Sequence, residues 1–217
     1  MLNQDNTITV CGMLEAKPIH AYTAFKEPFY TGVLLVQRLS GAVDRLPVTI
    51  PGKIMASLPD DILRPITING QVRSYNKADA NGVNRLEIVV FANEVKVAGT
   101  DDAAKNKVKI VGTICRPPVH RPTPLGREIC DLMLAVNRAF GKSDYIPCIA
   151  WGRDAQYAAH FPVGQRMEIS GRLQSREYVK PLDDGTTITR TVYEVSAFTV
   201  APAADAIDDI GEEARGA

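Results

Sequence analysis

The 217-residue sequence is poor in the groups that most catalysis needs. Its three histidines, His20, His120 and His160, lie far apart, and no Gly-rich phosphate loop, Ser/His/Asp grouping or metal-binding signature appears. Its four cysteines, Cys11, Cys115, Cys130 and Cys148, form no Cys-x-x-Cys pair and have no histidine at ligand spacing. Each lies in or at the end of an apolar, strand-like run and reads as a reduced core thiol. No cofactor or metal is expected, and only scattered carboxylates would be available to a nuclease-type site. Apolar runs are also short: none approaches the ~20 residues of a membrane span. The opening Met-Leu-Asn-Gln-Asp-Asn has no basic stretch ahead of an apolar block, so no secretory leader is expected. The default expectation is a cytoplasmic protein. Aromatics are scarce at 6%, with a single tryptophan, which gives weight to any cluster of them.

Net charge is also missing: 25 Lys+Arg balance 25 Asp+Glu. The balance is uneven along the chain. Residues 1–102 carry 10 basic against 11 acidic side chains, residues 103–200 carry 14 against 9, and residues 201–217 carry one against five. Nine of the 14 basic residues in the middle stretch are arginines. A basic middle followed by an acidic tail points to a polyanionic partner for the middle.

The strongest positive feature is an internal repeat. Thr7-Ile-Thr-Val-Cys-Gly12 lines up with Lys107-Val-Lys-Ile-Val-Gly112, Val36-Gln-Arg-Leu-Ser-Gly41 with Val136-Asn-Arg-Ala-Phe-Gly141, and Leu46-Pro-Val48 with Ile146-Pro-Cys148, all at an offset of 100. Ile68–Ser74 matches Ile169–Ser175 at 101, and Arg85–Val89 is matched to Val192–Ser196 at 107. A constant offset that drifts late in each unit means two copies of one framework with loop insertions.

Each copy reads as β-rich with one short helix. In the second, Val108–Ile114 alternates and stops at Arg116-Pro-Pro, Ile129–Val136 and Tyr145–Trp151 are further apolar runs, and Asp154–Phe161 starts with a capping residue and ends at Pro162 and Gly164. Met167–Tyr178 is a long fourth strand bent at Gly171, Asp183-Asp-Gly185 a hairpin turn, and Arg190–Val200 a fifth strand. Three strands, a helix and a two-strand hairpin is the order of the OB-fold. The fold expectation is all-β: two tandem five-stranded OB barrels, residues 1–100 and 105–201, followed by an acidic tail of disordered composition at 202–217. The paired glycines Gly41/Gly141 and Gly70/Gly171 read as structural, at barrel corners.

The second copy resembles the bacterial single-stranded DNA-binding protein family. The match is carried by Asn106-Lys-Val-Lys-Ile-Val-Gly112, by Leu134-Ala-Val-Asn-Arg138, and most strongly by Ile146–Ala158 continuing through Val163–Tyr178. The first copy is more distant, and the combination resembles tandem OB-fold members of that family. The resemblance implies aromatic platforms for unpaired bases at Phe140, Tyr145, Trp151 and Tyr178, with Arg153 and Arg176 set to meet phosphates beside them. Stacking suits this task because every base has a π-face, and arginine contacts make such binding salt-dependent. Arg138 and Arg172 are further candidates. So are Arg116, Arg121 and Arg127, in the Pro-rich loop between the first two strands.

The resemblance implies a non-enzymatic protein that binds single-stranded DNA without strong sequence preference in replication, recombination and repair, in the cytoplasm on the nucleoid. Four OB-folds per assembly would require a homodimer. In the first copy Ser40, Arg45 and Pro51 stand where the second has Phe140, Tyr145 and Trp151, and Tyr75 lies near the Tyr178 region out of register. Its binding face is expected to be degenerate, with Lys53, Arg73 and Lys77 guiding DNA weakly. The tail ends Glu-Glu-Ala-Arg-Gly-Ala, without the Pro-Phe tip by which the family recruits replication and repair proteins; Ile207 and Ile210 are its only apolar substitutes. An OB-fold replication-restart accessory protein acting through protein contacts, or an RNA binder, are the competing readings.

Overall fold

Alternation of apolar and polar residues makes strands of most of this chain. In Asn106–Ile114, for example, Val108, Ile110 and Ile114 turn inward while Lys107 and Lys109 face solvent. A computed structural model of the protein describes residues 5–59, 64–78, 82–99, 102, 105–181 and 185–203, without the side chains of Phe140 and Lys180. The first copy contains β1 (Asn6–Leu14), β2 (Ile19–Ala24), β3 (Glu27–Gln37), β4 (Val43–Pro51), α1 (Gly52–Met55), β5 (Pro65–Ala78) and β6 (Asn84–Val97). The second contains β7 (Asn106–Ile114), β8 (Val119–Pro122), β9 (Glu128–Asn137), β10 (Ser143–Trp151), α2 (Arg153–Ala158), β11 (Arg166–Pro181) and β12 (Thr187–Pro202).

The strands hydrogen-bond in one continuous order, β2-β3-β4-β6-β5-β1-β7-β11-β12-β10-β9-β8, with extra pairings β1–β3 and β7–β9. Those two pairings close each half into a five-stranded barrel and leave β2 and β8 as short outer edges. The barrels are OB-folds in tandem. Their cores repeat residue for residue: Leu34, Leu46 and Ile68 are fully buried in the first, and Leu134, Ile146 and Ile169 in the second. Each such side chain contributes about 1.5–3 kcal/mol by leaving water. Gly70 on β5 and Gly171 on β11 sit opposite bulges at Asn93 of β6 and Phe198 of β12, where a Cβ would meet the carbonyl oxygen of Phe91 at 2.1 Å and of Ser196 at 2.3 Å. A side chain at either position would force the bulge apart.

Three expectations need correction. The helix of the second copy starts at Arg153, with Gly152 (φ +57°) as its N-cap and Asp154 inside the first turn, and it ends at Ala158. A tight exit from β10 through a positive φ favours glycine over an Asx cap. The Pro-rich loop Arg116–Arg127 is not all loop: Val119–Pro122 pairs with β9 as β8, since prolines are tolerated on an edge strand. Finally, the last strands match at an offset of 105, not 107. Val72 pairs with Val90 and Leu173 with Val195, while Val48 pairs with Val90 and Cys148 with Val195. A slip of two residues keeps every side chain on its own face, so the alternating pattern could not reveal it. Of the expected hairpin turn, Asp183 and Asp184 lie outside the described residues, as do Ile207, Ile210 and the rest of the tail from residue 204. The four cysteines are free; burial pushes the Cys130 thiol up to about 11 and Cys148 further.

The barrels join along β1 and β7, which pair antiparallel with Ile8 opposite its own repeat mate Val108. The pair Thr7–Lys109 is the repeat image of Thr9–Lys107, so a pseudo-two-fold axis passes between Ile8 and Val108. Across it, two buried aspartates reach reciprocally into the other barrel. Asp44 on β4 accepts the Ser175 N–H at 2.7 Å, and Asp144 on β10 accepts the Ser74 N–H at 2.6 Å. The serine hydroxyls accept in return from the N–H groups of Arg45 (3.0 Å) and Tyr145 (2.7 Å). Arg38 holds Asp44 through two side-chain hydrogen bonds, and Arg138 lies 3.4 Å from Asp144 with Arg73 at 4.0 Å.

Replacing Asp144 with Ala strands the Ser74 N–H and two guanidinium groups, so urea unfolding should show a loss of about 3 kcal/mol, with Asp44→Ala similar. Burial raises the Asp144 pKa above its ordinary value. The folded state therefore holds that proton more tightly than the unfolded state, and this contribution to stability grows as pH falls and is lost as pH rises through the folded pKa. The stability of wild type relative to Asp144→Asn should increase between pH 7 and pH 4; a decrease would contradict the assignment.

Candidate nucleic-acid interface

Trp151 ends β10, on a strand that buries Ile146, Cys148 and Ala150 and leaves Tyr145 and Trp151 exposed. Its indole Nε1 donates to the Ser196 Oγ on β12 at 3.1 Å, and the side chain remains 36% exposed. Around it, β11 supplies Arg172 and Arg176, the β8–β9 turn supplies Arg127, β12 supplies Phe198, and the first barrel supplies Arg38. These residues line one groove of about 460 Å³. Below them Glu194 is buried, accepting from the Gln174 amide at 2.9 Å with Arg176 at 3.6 Å. Arg172 Nε is buried with no hydrogen-bond partner among the described residues.

Arg176 also lines an adjoining cleft of about 650 Å³ between the long hairpins, with Arg85, Tyr178, Ile188, Arg190 and Tyr193. Its guanidinium lies 6.0 Å from the Tyr178 ring centre, within cation–π range. Four sequence candidates, Trp151, Arg127, Arg172 and Arg176, thus converge in the first groove, and Tyr178 joins through the second. The others are placed elsewhere. Tyr145 is exposed at the inter-barrel seam, and Arg153 is exposed at the start of α2. Arg116 is exposed after β7, Arg121 pairs with Asp131 at 2.7 Å, and Arg138 faces Asp144. Phe140 sits in a one-turn 3-10 segment, its side chain outside the described residues.

Sequence reasoning missed Phe198 and Arg38. Phe198 stood in a run where Val195, Ala197 and Val200 are buried, and strict alternation from Val195 would have turned it outward. Arg38 is the repeat mate of the candidate Arg138, but it reaches this groove from the other barrel, which the repeat alone does not reveal.

With the corrected register, the first barrel has Pro51 at the place of Trp151 but Phe91 at the place of Ser196. The aromatic has moved one strand over. Phe91 lies 6.0 Å from Phe29, Tyr22 stacks on Phe29 at 4.9 Å, and the Arg73 guanidinium lies 4.9 Å over Phe91. This cluster was not foreseen, and its members cover one another's ring faces. Gln71 and Tyr75 replace Arg172 and Arg176, and Glu27 replaces Arg127, so the corresponding face is less cationic.

Residues 105–201 match the model of the Single-strand binding protein family. Single-stranded DNA-binding protein A of Bacillus subtilis is 38% identical over 100 residues, which are 43% of this chain and 58% of that protein. Single-stranded DNA-binding protein 2 of Listeria innocua is 33% identical over 100 residues, 43% of this chain and 63% of its own length. The chain thus spans less than two thirds of the length of these curated relatives. Over nearly its full length it is similar in fold to the wild-type single-stranded DNA binding protein from Thermus aquaticus, with a TM-score of 0.71, 22% identity, and coverage of 95% of this chain and 96% of that one.

Because the sole tryptophan lies among arginines, its emission should be quenched more strongly by iodide than by caesium at low ionic strength. The difference should fade as added salt screens the groove. Equal quenching at low salt would mean that the arginine charge is already neutralised by Glu194 and Asp44.

Proposed function

We propose that this chain, a tandem OB-fold whose second barrel is a single-strand binding protein domain, binds single-stranded DNA through the Trp151 groove and the adjoining Tyr178 cleft. The observation that carries the reading is an exposed indole set among Arg38, Arg127, Arg172 and Arg176 on the family-matched barrel. Bases stack on Trp151 and Tyr178, and phosphates run past the arginines between them; Phe140 and Tyr145 are proposed as further platforms. Binding of this kind has little sequence preference, because neither a ring face nor a guanidinium reads base edges. It is non-enzymatic and suits replication, recombination and repair in the cytoplasm, on the nucleoid. No helix among the described residues is long and apolar enough to cross a membrane.

The first barrel is proposed as the weaker binder, since its rings are largely occupied with one another and its arginines are fewer. Its main work is to hold the second barrel across the seam. Two such chains would present four barrels, and light scattering should give twice the 23.6 kDa chain mass.

Titrating the protein with oligo-dT should quench Trp151 emission and high salt should restore it, with poly-U and duplex DNA binding more weakly at the same salt. Trp151→Ala should cost about 1–3 kcal/mol of binding, and Tyr22→Ala or Tyr75→Ala less. Unchanged emission at saturating oligonucleotide would remove Trp151 from the interface; a larger loss from the Tyr22 or Tyr75 variants would reverse the order of the barrels.

A further inference from the structure

Phe198 is a large apolar side chain, 59% exposed, on a strand that buries the preceding Ala197 and, two residues on, Val200. It stacks on no other ring among the described residues. It borders three connected depressions: the Trp151 groove, a second shared with Arg38, Asn106, Lys107 and Arg172, and a third over the β1–β7 seam with Thr7, Thr9 and Lys109. Among the described residues the exposed Lys107 pairs with no carboxylate and the Arg172 Nε has no hydrogen-bond partner.

The pseudo-two-fold supplies an internal control. The repeat mates of Lys107, Arg172 and Phe198 are Thr7, Gln71 and Asn93, all uncharged and none aromatic. The same framework therefore closes without a ring or a cation at these positions, so folding does not demand them in the second half. Of the cations and the ring, Arg38 alone has a like mate, Arg138, and both serve the seam aspartates. Three independent replacements that turn a neutral polar corner into an aromatic one with two cations describe a ligand-binding surface of nucleotide chemistry.

We propose that Phe198, Arg172 and Lys107 form a further nucleotide subsite at the inter-barrel seam, walled by Arg38, in which a base stacks on the Phe198 ring and the adjoining phosphates meet Arg172 and Lys107. This rests on the reading of the Trp151 groove as a single-strand site. Trp151 is anchored on Ser196, and Phe198 follows two residues along β12, at the bulge, lining the same groove. Neighbouring unstacked bases of one strand can reach both rings. The subsite thus carries the strand from the groove of the second barrel onto the seam, where the first barrel begins.

The test uses the full chain with the fluorophore moved: Trp151→Phe combined with Phe198→Trp puts the only tryptophan at 198. Binding is followed independently by anisotropy of a labelled oligo-dT. Emission from position 198 should be quenched as the oligonucleotide saturates, and Phe198→Ala in the otherwise unaltered chain should weaken binding about tenfold. Lys107→Ala should lower the slope of log affinity against log salt by about one. Saturating binding with unchanged emission at 198, or wild-type affinity for Phe198→Ala, would overturn the subsite while leaving the Trp151 groove intact. Failure of the unaltered protein to bind oligo-dT at all would instead remove the reading on which it rests.

Discussion

Two carboxylates buried between the barrels, Asp44 and Asp144, set the relation of everything else. Each accepts a backbone N–H from the opposite barrel, the β11 Ser175 or the β5 Ser74, and each must be matched by an arginine because an unpaired charge at zero exposure costs several kcal/mol. Arg38 is drawn to Asp44 for that reason. Its guanidinium, also bonded to the Ser175 carbonyl at 2.9 Å, thereby reaches the wall of the groove on the second barrel. The seam and the proposed binding face are in this sense one construction. The hydrogen bonds that fix β11 against β4 also fix the strand that carries Arg172 and Arg176.

The repeat that builds this symmetry also shows where it is broken. Core positions such as Leu34/Leu134 and Ile68/Ile169 stay apolar in both halves, since each barrel must bury its own interior. Positions at the groove diverge. Ser196 becomes Phe91, Trp151 becomes Pro51 and Arg172 becomes Gln71 across the axis. In the first barrel the aromatic surface folds in on itself, with Tyr22 on Phe29 and Arg73 over Phe91. In the second the rings face solvent amid arginines, which matches the uneven charge of the two halves.

Much of this was legible in the sequence. The offset of 100 held through β1, β3 and β4 because those strands are joined without length change, and the order of strands, helix and hairpin named the OB-fold. Trp151, Arg127, Arg172 and Arg176 were singled out and lie together in one groove. What escaped notice did so for physical reasons. The two-residue slip in the last strand preserved the inside–outside pattern, hiding the exchange of Phe91 for Ser196. Arg138 read as a DNA-facing candidate, whereas it lies 3.4 Å from the buried Asp144. Arg38 belongs to a site assembled across the repeat, which no local spacing encodes.

In the proposed mode of binding, single strands run over β10, β11 and β12 of the second barrel and not chiefly over the first. Photo-crosslinking of halogenated oligo-deoxyuridine to the full chain, followed by mass spectrometry of the linked peptides, reads this directly, since adducts form at aromatic side chains in contact with bases. Adducts should concentrate at Trp151, Tyr178 and Phe198. Adducts found mainly at Tyr22, Phe29 or Phe91 would contradict this mode of binding.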